Sequence, residues 1–464
     1  MIDAGRTVAA ISTPHGRGGV AMIRISGDET ADVLRRVFVP AGRVKPDEAP
    51  RTAVFGRIVL GGEVIDTGVA TYYAAPRSFT GECMAELCCH GGVLVTRRVL
   101  EAVFAAGASP AGPGEFTRRA FLSGKLTLSE AEGIGLLLDA DTDSAMRLAS
   151  AGARGVLSER LGAIGDKISE VLSALFAVID YPDEDIDEIG VNDICARLTA
   201  AAEECRALAS TFRLGRAVTD GIPTVIIGAP NAGKSTLYNA LAGEDRAIVT
   251  DVAGTTRDVL EDKIDIGGAV LRLWDTAGIR DSEDTVESIG IDRALDRLGD
   301  AELVLAVYDG ASHIGDAERR IMDEISARAG DACTVAVISK ADTGTVLDEG
   351  ELALLREHHD DLCVVSAATG EGVDSLRERI LSKYGAGEID VSHDAVVWDA
   401  SRKAELDLAA SLLCDSAAAL ASGEPEDAVC TTVELALAAL RRTDGRGVSE
   451  EVVSGIFSHF CVGK

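Results

Sequence analysis

One stretch, Thr224–Thr236 (TVIIGAPNAGKST), constrains what this chain can fold into more than any other. An apolar run, Val225-Ile226-Ile227, ends at Gly228, and Gly228 to Ser235 spells G-x-x-x-x-G-K-[ST]. Leu237 to Leu241 continues with helical character. Strand, glycine turn and helix in that order make a cradle for phosphate. The glycines let successive backbone N–H groups turn inward, and the helix N-terminus adds positive potential. Lys234 can reach the outer phosphates, and Ser235 offers a hydroxyl to Mg²⁺. A Gly-rich turn in an ordinary α/β unit would share the pattern, but further elements stand downstream at the distances a nucleotide domain needs.

Gly254-Thr255-Thr256-Arg257-Asp258 comes first, then an apolar strand, Leu271–Trp274, ending in Asp275-Thr276-Ala277-Gly278. Asp275 can hold Mg²⁺ through water, and the Gly278 backbone can sense a γ-phosphate. A second apolar strand, Val335–Ile338, ends in Ser339-Lys340-Ala341-Asp342, and Val364-Val365 leads to Ser366-Ala367. This order predicts a domain that binds and hydrolyses GTP, because the Asp342 carboxylate can accept two hydrogen bonds that a guanine edge donates and adenine cannot. The nucleotide is expected to touch Asn231, Ala232, Gly233, Lys234, Ser235 and Thr236, then Thr250, Asp251, Val252, Ala253, Gly254, Thr255 and Thr256. Asp275, Thr276, Ala277, Gly278, Ser339, Lys340, Ala341, Asp342, Ser366 and Ala367 complete the set. Two residues depart from the usual pattern. Ser339 stands where such a motif carries Asn, which puts its contact to the base and to the phosphate loop in question, while discrimination through Asp342 should survive. Ile279 stands where a Ras-like enzyme keeps a Gln to orient water, so another group must do that work. Asn231, inside the phosphate loop, is a candidate ligand for a monovalent cation.

The 464 residues suffice for about three domains. No run of eighteen apolar residues exists, so no membrane span is predicted. The opening MIDAGRTVAAIST has no long apolar stretch, and a secretory signal is not expected. Ten cysteines are scattered without a C-x-x-C, which favours reduced thiols in a cytoplasmic protein over zinc or redox motifs. The net charge of −31 argues against a general nucleic-acid binder. The charge is uneven: residues 1–125 carry 15 basic and 12 acidic side chains, and the remainder carries 30 against 64. A polyanionic partner should therefore meet the N-terminal part or a local patch.

Residues 1–125 alternate short β-like runs with glycine punctuation, as an α+β domain does. Thr7–Ile11, Val20–Ile25, a hairpin of Val54–Leu60 with Glu63–Ile65, then Val69–Tyr73 and Met84–Cys89 read as strands, and Thr96–Ala106 as an amphipathic helix. Arg24 and Glu86 each interrupt an apolar strand. Both can lie on a wet face, or together they can line a pocket. From Lys125 to about Ile179 helical spacing dominates, and an acidic cluster after Tyr181-Pro182 reads as a solvated turn. Helix resumes from about Val191 to Leu214 and again over Lys403–Ala421, on to Leu440, and over Val448–Phe460. Helical segments thus flank the nucleotide domain on both sides. The fold class expected is multidomain, α+β and α/β: residues 1–122, a helical part over 123–218, a Ras-like P-loop domain over 219–384 inserted into it, and a second helical part over 385–464.

Taken together these residues resemble the MnmE/TrmE family of tRNA modification GTPases, which act on the wobble uridine. The resemblance runs over essentially the whole chain. It is carried by Thr13–Val20 (TPHGRGGV), Arg24–Gly27, Ser78–Glu82 (SFTGE), His90-Gly91-Gly92, Pro113–Thr117 (PGEFT), Tyr181–Glu184, Gly228–Thr236, Gly254–Asp258 and Phe460–Lys464 (FCVGK). It implies an N-terminal domain that dimerises and binds 5,10-methylene- or 5-formyl-tetrahydrofolate, with Arg24, Glu86, Lys125 and Lys464 at folate-contacting positions. Cys461 matches a cysteine implicated in the modification. It further implies K⁺ ligands at Asn231, Thr250, Val252 and Thr255, Mg²⁺ ligands at Ser235 and Thr256, and a catalytic, water-orienting acid at Glu287. The implied chemistry adds an aminomethyl or carboxymethylaminomethyl group to tRNA, with a flavoprotein (FAD) partner of the MnmG/GidA type, in a homodimer that joins the partner as a heterotetramer. Two other readings compete: a regulatory GTPase of ribosome assembly, which would lack residues 1–125 and the terminal C-V-G-K, and a folate-dependent transferase with a degenerate nucleotide domain.

Overall fold

The computed structural model describes residues 6–180, 190–243, 247–248, 261–274, 294–386, 389–445, 450–458 and 460–463. The chain forms two compact units. One comprises residues 1–135, 152–162 and 440–464, the other residues 136–151 and 163–439.

In the first unit, strands β1 (Val8–Ile11), β2 (Val20–Ser26), β3 (Phe38–Pro40), β4 (Val54–Leu60), β5 (Glu63–Tyr73), β6 (Met84–His90) and β7 (Ser109–Pro110) form one sheet in the order β3-β4-β5-β6-β2-β1-β7. All neighbours are antiparallel except β1 and β7. The period-two alternation of the strands sorts the side chains onto two faces. Ile23, Ile25, Ile58, Ala70 and Leu87 lie on one face, and α1 (Thr30–Val37) and α2 (Val93–Ala105) close over them with Val33, Leu34, Val99 and Val103. On the other face Ala10, Arg24, Glu86 and Thr71 stand in one row across β1, β2, β6 and β5. The second arm of the expected hairpin, Glu63–Ile65, and the next expected strand, Val69–Tyr73, are one continuous strand, β5. Gly68 sits mid-strand because a Cβ there would collide with the Cys88 carbonyl, so this glycine marks a close approach and not a turn.

Helix α3 (Glu115–Leu122) follows, then α4 (Leu128–Asp139), α5 (Asp143–Ala153) and the 25-residue α6 (Val156–Asp180). The expected single helix from Val191 is broken in two, α7 (Val191–Ser210) and α8 (Phe212–Thr219). The glycine-flanked β8 (Ile222–Gly228) and α9 (Lys234–Ala242) come next. The remaining elements are β9 (Ala247–Ile248), β10 (Glu261–Asp265), β11 (Val270–Trp274), β12 (Leu303–Asp309), α10 (Asp316–Arg328), β13 (Cys333–Ser339), α11 (Glu349–His358), β14 (Asp361–Val364), α12 (Val373–Lys383), α13 (Ala400–Ala421), α14 (Glu426–Thr443) and α15 (Glu450–Ser458).

The second unit holds a seven-stranded sheet of order β14-β13-β12-β8-β11-β10-β9, parallel from β14 through β11. Its parallel strands are near-continuous apolar runs because both faces are covered. Ile226, Leu305, Val307, Val335 and Val337 pack with Leu237 and Leu241 of α9 and Leu376 and Ile380 of α12. Val225, Ile227, Val304, Ala306 and Ala336 pack with Ile321, Met322 and Ile325 of α10 and Leu355 of α11. Outside the sheet, α7 and α13 pack along their length through small and apolar residues, among them Leu198, Ala202 and Leu208 of α7 and Leu406, Ala410 and Leu413 of α13. These two helices precede and follow the α/β segment in the chain, so that segment is inserted within a helical one. Among the described residues no helix is long and apolar enough to cross a membrane.

Candidate nucleotide and folate sites

Central strand β8 delivers Gly228 to the carboxyl edge of the sheet, where α/β folds place their ligands. The loop from there to α9 needs backbone that ordinary residues avoid. Asn231 has φ +58° and Gly233 φ +98°, both in the left-handed region. Asn tolerates that region better than most side chains, and glycine adopts it freely. Lys234 is 9% exposed, and its Nζ donates to the carbonyls of Gly228 (3.2 Å) and Ala229 (2.8 Å), folding the ammonium back across the loop.

Strand β13 delivers Ser339 to the same edge. Ser339 is 2% exposed, and its Oγ lies 2.6 Å from the Ala232 carbonyl and 3.1 Å from the Tyr308 carbonyl. The short side chain does reach the phosphate loop. Lys340, at φ +58°, pairs with Asp309 at 2.7 Å. Burial alone would push the Asp309 carboxyl up; the hydrogen bonds from Lys340 and from the Ala311 N–H outweigh it and hold the group below its ordinary value. Asp342 accepts the Ser366 hydroxyl at 2.6 Å, which fixes one carboxylate oxygen and leaves the group aimed by a partner on the β14 side. The Ala341 N–H donates to the Val365 carbonyl at 3.2 Å, tying the two segments together by backbone as well. Behind them, buried Tyr308 and His359 share a 2.8 Å hydrogen bond, and burial pushes the His359 imidazole down to about 4, so that it is neutral.

The structure thus brings Asn231–Thr236, Ser339–Asp342 and Ser366-Ala367 together. Thr250 to Thr256, Asp275 to Gly278, Ile279, Glu287, the acidic cluster after Tyr181 and the terminal Lys464 lie outside the described residues. Among the described residues no group of three His, Cys, Asp or Glu could hold a metal ion. Asp309 and Tyr308 were missed by the sequence; the polar end of an otherwise apolar β12 run was the available signal.

In the first unit Arg24 and Glu86 are not on a wet face. Their side chains are 17% and 16% exposed and pair at 2.8 Å across β2 and β6. Phe79 and Phe116 cover the guanidinium, with ring centroids 5.4 and 5.7 Å away, an arrangement that suits a cation on aromatic faces. Tyr73 donates its hydroxyl to the other Glu86 oxygen at 3.1 Å; burial and then the Glu86 charge push the phenol up. Burial and Glu86 also push the neighbouring Cys88 thiol up, which keeps it protonated. Beneath this row lies a cluster the sequence did not disclose. Arg119, 5% exposed, donates to Glu82 (2.8 Å), to Glu115 (2.9 Å) and to the Arg6 carbonyl (3.0 Å). Ser26 in turn meets Glu82 and Thr80 at 2.8 Å each. Gly81, at φ +80°, brings the loop against Ser123 and the stem of exposed Lys125.

The chain's far end returns to this unit. Phe457 of α15 packs on Phe121, Leu128 and Ala131. Val462 bridges Pro113, and Ser12 Oγ donates to the Gly463 carbonyl at 2.8 Å. Gly463 has φ +102°, and a Cβ there would collide with the Ile11 carbonyl. The terminal C-V-G is therefore shaped to lie against the end of β1, and it leaves Cys461 exposed.

Comparison with known proteins places the whole chain in one family. Residues 7–125 match the family model described as GTP-binding protein TrmE N-terminus, and residues 128–461 match that of the MnmE helical domain. A protein of Symbiobacterium thermophilum named tRNA modification GTPase MnmE is 40% identical over 462 residues, which is 99% of both chains. The chain belongs to the MnmE family of tRNA modification GTPases. MnmE proteins of Geobacter sulfurreducens (38% identity) and Clostridioides difficile (34%) match over 99% of both chains as well. Of solved structures, the G domain of the T. maritima FeoB iron transporter aligns to 35% of this chain and 98% of its own at 27% identity, with a TM-score of 0.25; a likeness that weak carries no argument. In this MnmE-family chain the Ser339 hydroxyl is within hydrogen-bond distance of the phosphate loop at the Ala232 carbonyl.

Proposed function

We propose that this chain is a GTPase acting in modification of the tRNA wobble uridine, adding an aminomethyl or carboxymethylaminomethyl group together with an MnmG/GidA-type flavoprotein. The observation that carries the reading is the convergence of a phosphate loop, Ser339–Asp342 and Ser366 at one sheet edge. It stands in a chain whose full-length relatives are named tRNA modification GTPases. In this reading Asp342, steadied by Ser366, accepts from the guanine edge, and Lys234 turns from the loop carbonyls to the phosphates. Ser235 and Thr256 would hold Mg²⁺, and Glu287 would position water. Asn231 is an oxygen donor at the phosphate loop, which suits a hard monovalent ion, and Asn231, Thr250, Val252 and Thr255 would hold K⁺. When bound, that ion supplies positive charge beside the phosphates.

The aromatic cover, the Glu86 acceptor and the exposed Lys125 ammonium suit a flat, polyanionic folate such as 5,10-methylene- or 5-formyl-tetrahydrofolate. Arg24, Glu86, Lys125 and Lys464 would hold it, with the chain as a homodimer that joins its flavoprotein as a heterotetramer, in the cytoplasm. Residues 7–125 also weigh against a ribosome-assembly GTPase, which would not carry them.

Two measurements test the reading. Nucleoside analysis of tRNA from cells lacking the chain should show loss of the modified wobble uridine, and an unchanged profile would count against it. GTP hydrolysis should be at least about tenfold faster in K⁺ than in Na⁺, as expected for one charge-stabilising group. Equal rates would remove the cation from the mechanism.

A further inference from the structure

Arg24 grips only one oxygen of Glu86. Its Nε and Nη2 both donate to Oε1, at 3.3 and 2.8 Å. This is not the fork that spreads over two oxygens. The second oxygen, Oε2, is held from a different strand: Tyr73, at the end of β5, donates its hydroxyl there at 3.1 Å. The register explains the reach. Tyr73 stands opposite Met84, and Thr71 opposite Glu86, so the phenol meets the carboxylate on the diagonal, which long side chains can span.

The last torsion of a glutamate is soft and has no sharp staggered wells. A hold on Oε1 alone therefore does not set the plane of the carboxylate, whereas a hold on each oxygen does. The acceptor sites can be counted as well. An ionised carboxylate has about four, two on each oxygen. The two Arg24 donors fill those of Oε1, and Tyr73 takes one on Oε2. The site that remains is on Oε2, beside the phenol. Burial and then the Glu86 charge push the phenol up, so it stays a donor and does not become a second anion.

We propose that Tyr73 is a positioning residue for folate: by holding Oε2 it aims the open acceptor site of Glu86 at an N–H donor on the pterin edge. The inference rests on the reading of the Arg24–Glu86 face as the folate site. It adds a residue from β5 that acts through Glu86 without itself touching the ligand.

The probe is 5-formyl-tetrahydrofolate, titrated calorimetrically into the full chain and into Tyr73→Phe, Glu86→Gln and the double variant. Tyr73→Phe keeps the ring and loses only the hydroxyl, so the fold should persist. It should weaken binding about tenfold, the scale of one hydrogen bond to a charged group. Glu86→Gln should weaken binding at least as much. Its amide turns its one acceptor oxygen to Arg24 and its NH₂ to Tyr73, so the phenol has nothing left to position. The two losses should therefore not add, and the double variant should stay within about twofold of Glu86→Gln alone. A merely structural loss at Tyr73 would carry undiminished into the Glu86→Gln background, and that result would overturn the assignment. Parent-like affinity in Tyr73→Phe would overturn it too. If Glu86→Gln does not fold, Glu86→Asp, which draws the carboxylate back by one methylene, takes its place in the cycle. No binding by the parent chain, or parent-like binding in Glu86→Gln, would overturn the folate reading itself and the inference with it.

Discussion

Lys234→Met should lower GTP affinity by about a hundredfold and bring hydrolysis to background, the largest effect expected of any single substitution in the second unit. Lys234 is 9% exposed, and its ammonium meets two carbonyls of its own loop. Those carbonyls are partial charges, whereas a nucleotide offers full ones, so the lysine gains by exchanging them. A charge-assisted hydrogen bond contributes about 1.5–3 kcal/mol, and removing a preorganised charge-stabilising donor costs about 10²–10³ in rate. Methionine keeps the stem's apolar packing and loses only the charge, so the fold should persist. Calorimetric titration with GTP and a phosphate-release assay give the two numbers. Affinity within threefold of the parent would show that Lys234 stays on its own carbonyls and never engages the nucleotide.

The phosphate loop was legible in the sequence because its function demands a backbone geometry that few residues permit. Asn231 and Gly233 occupy the left-handed region, and the pattern records that requirement directly. The parallel sheet was legible for a similar reason: strands buried on both faces must be continuous apolar runs. Other features depend on residues far apart in the chain. Arg24 and Glu86 each interrupted an apolar strand, which left a wet face and a shared pocket both open; the pairing of β2 with β6 sets them side by side, and what covers them could not be read. The cover comes from Phe79, in a loop with no periodicity, and from Phe116, in the first turn of α3, both distant in sequence from the strands they cover. The expected strands stopped at Ile65 and resumed at Val69, whereas β5 runs through the gap and the missing side chain of Gly68 admits the Cys88 carbonyl from a neighbouring strand. Ser339 read as a weakened motif, because a sequence does not show how near the phosphate loop lies. The break after Ser210 went unseen because Thr211 and Phe212 carry no strong stop signal; the Thr211 hydroxyl accepts the Val397 N–H, a partner 186 residues away.

Arg119→Met should destabilise the first unit by about 3 kcal/mol, the largest loss expected there. Glu115 and Arg119 lie four apart on α3, and such a pair usually reads as a solvated helix ladder of small value. The structure places it differently. Arg119 is 5% exposed, with Glu82 and Glu115 at 27% and 18%, so the fork of the guanidinium joins two largely covered carboxylates. Methionine would fill the volume and leave both without their cation. Breaking a buried pair from one side costs about 3–5 kcal/mol, and the partial exposure of the acids sets the lower end. Arg119→Lys keeps a charge but cannot span two acids and a backbone carbonyl at once, so it should cost about half as much. Adding Glu115→Gln to Arg119→Met removes one stranded charge and should return about 1 kcal/mol, a coupling that independent sites would not show. Denaturant unfolding of the full chain, with hydrogen exchange on β1 and β2 to assign the transition, measures each step. GDP affinity, read on the other unit, should hold constant throughout. If Arg119→Met leaves the β1 and β2 amides as protected as in the parent, the cluster beneath Arg24 does not hold this unit together.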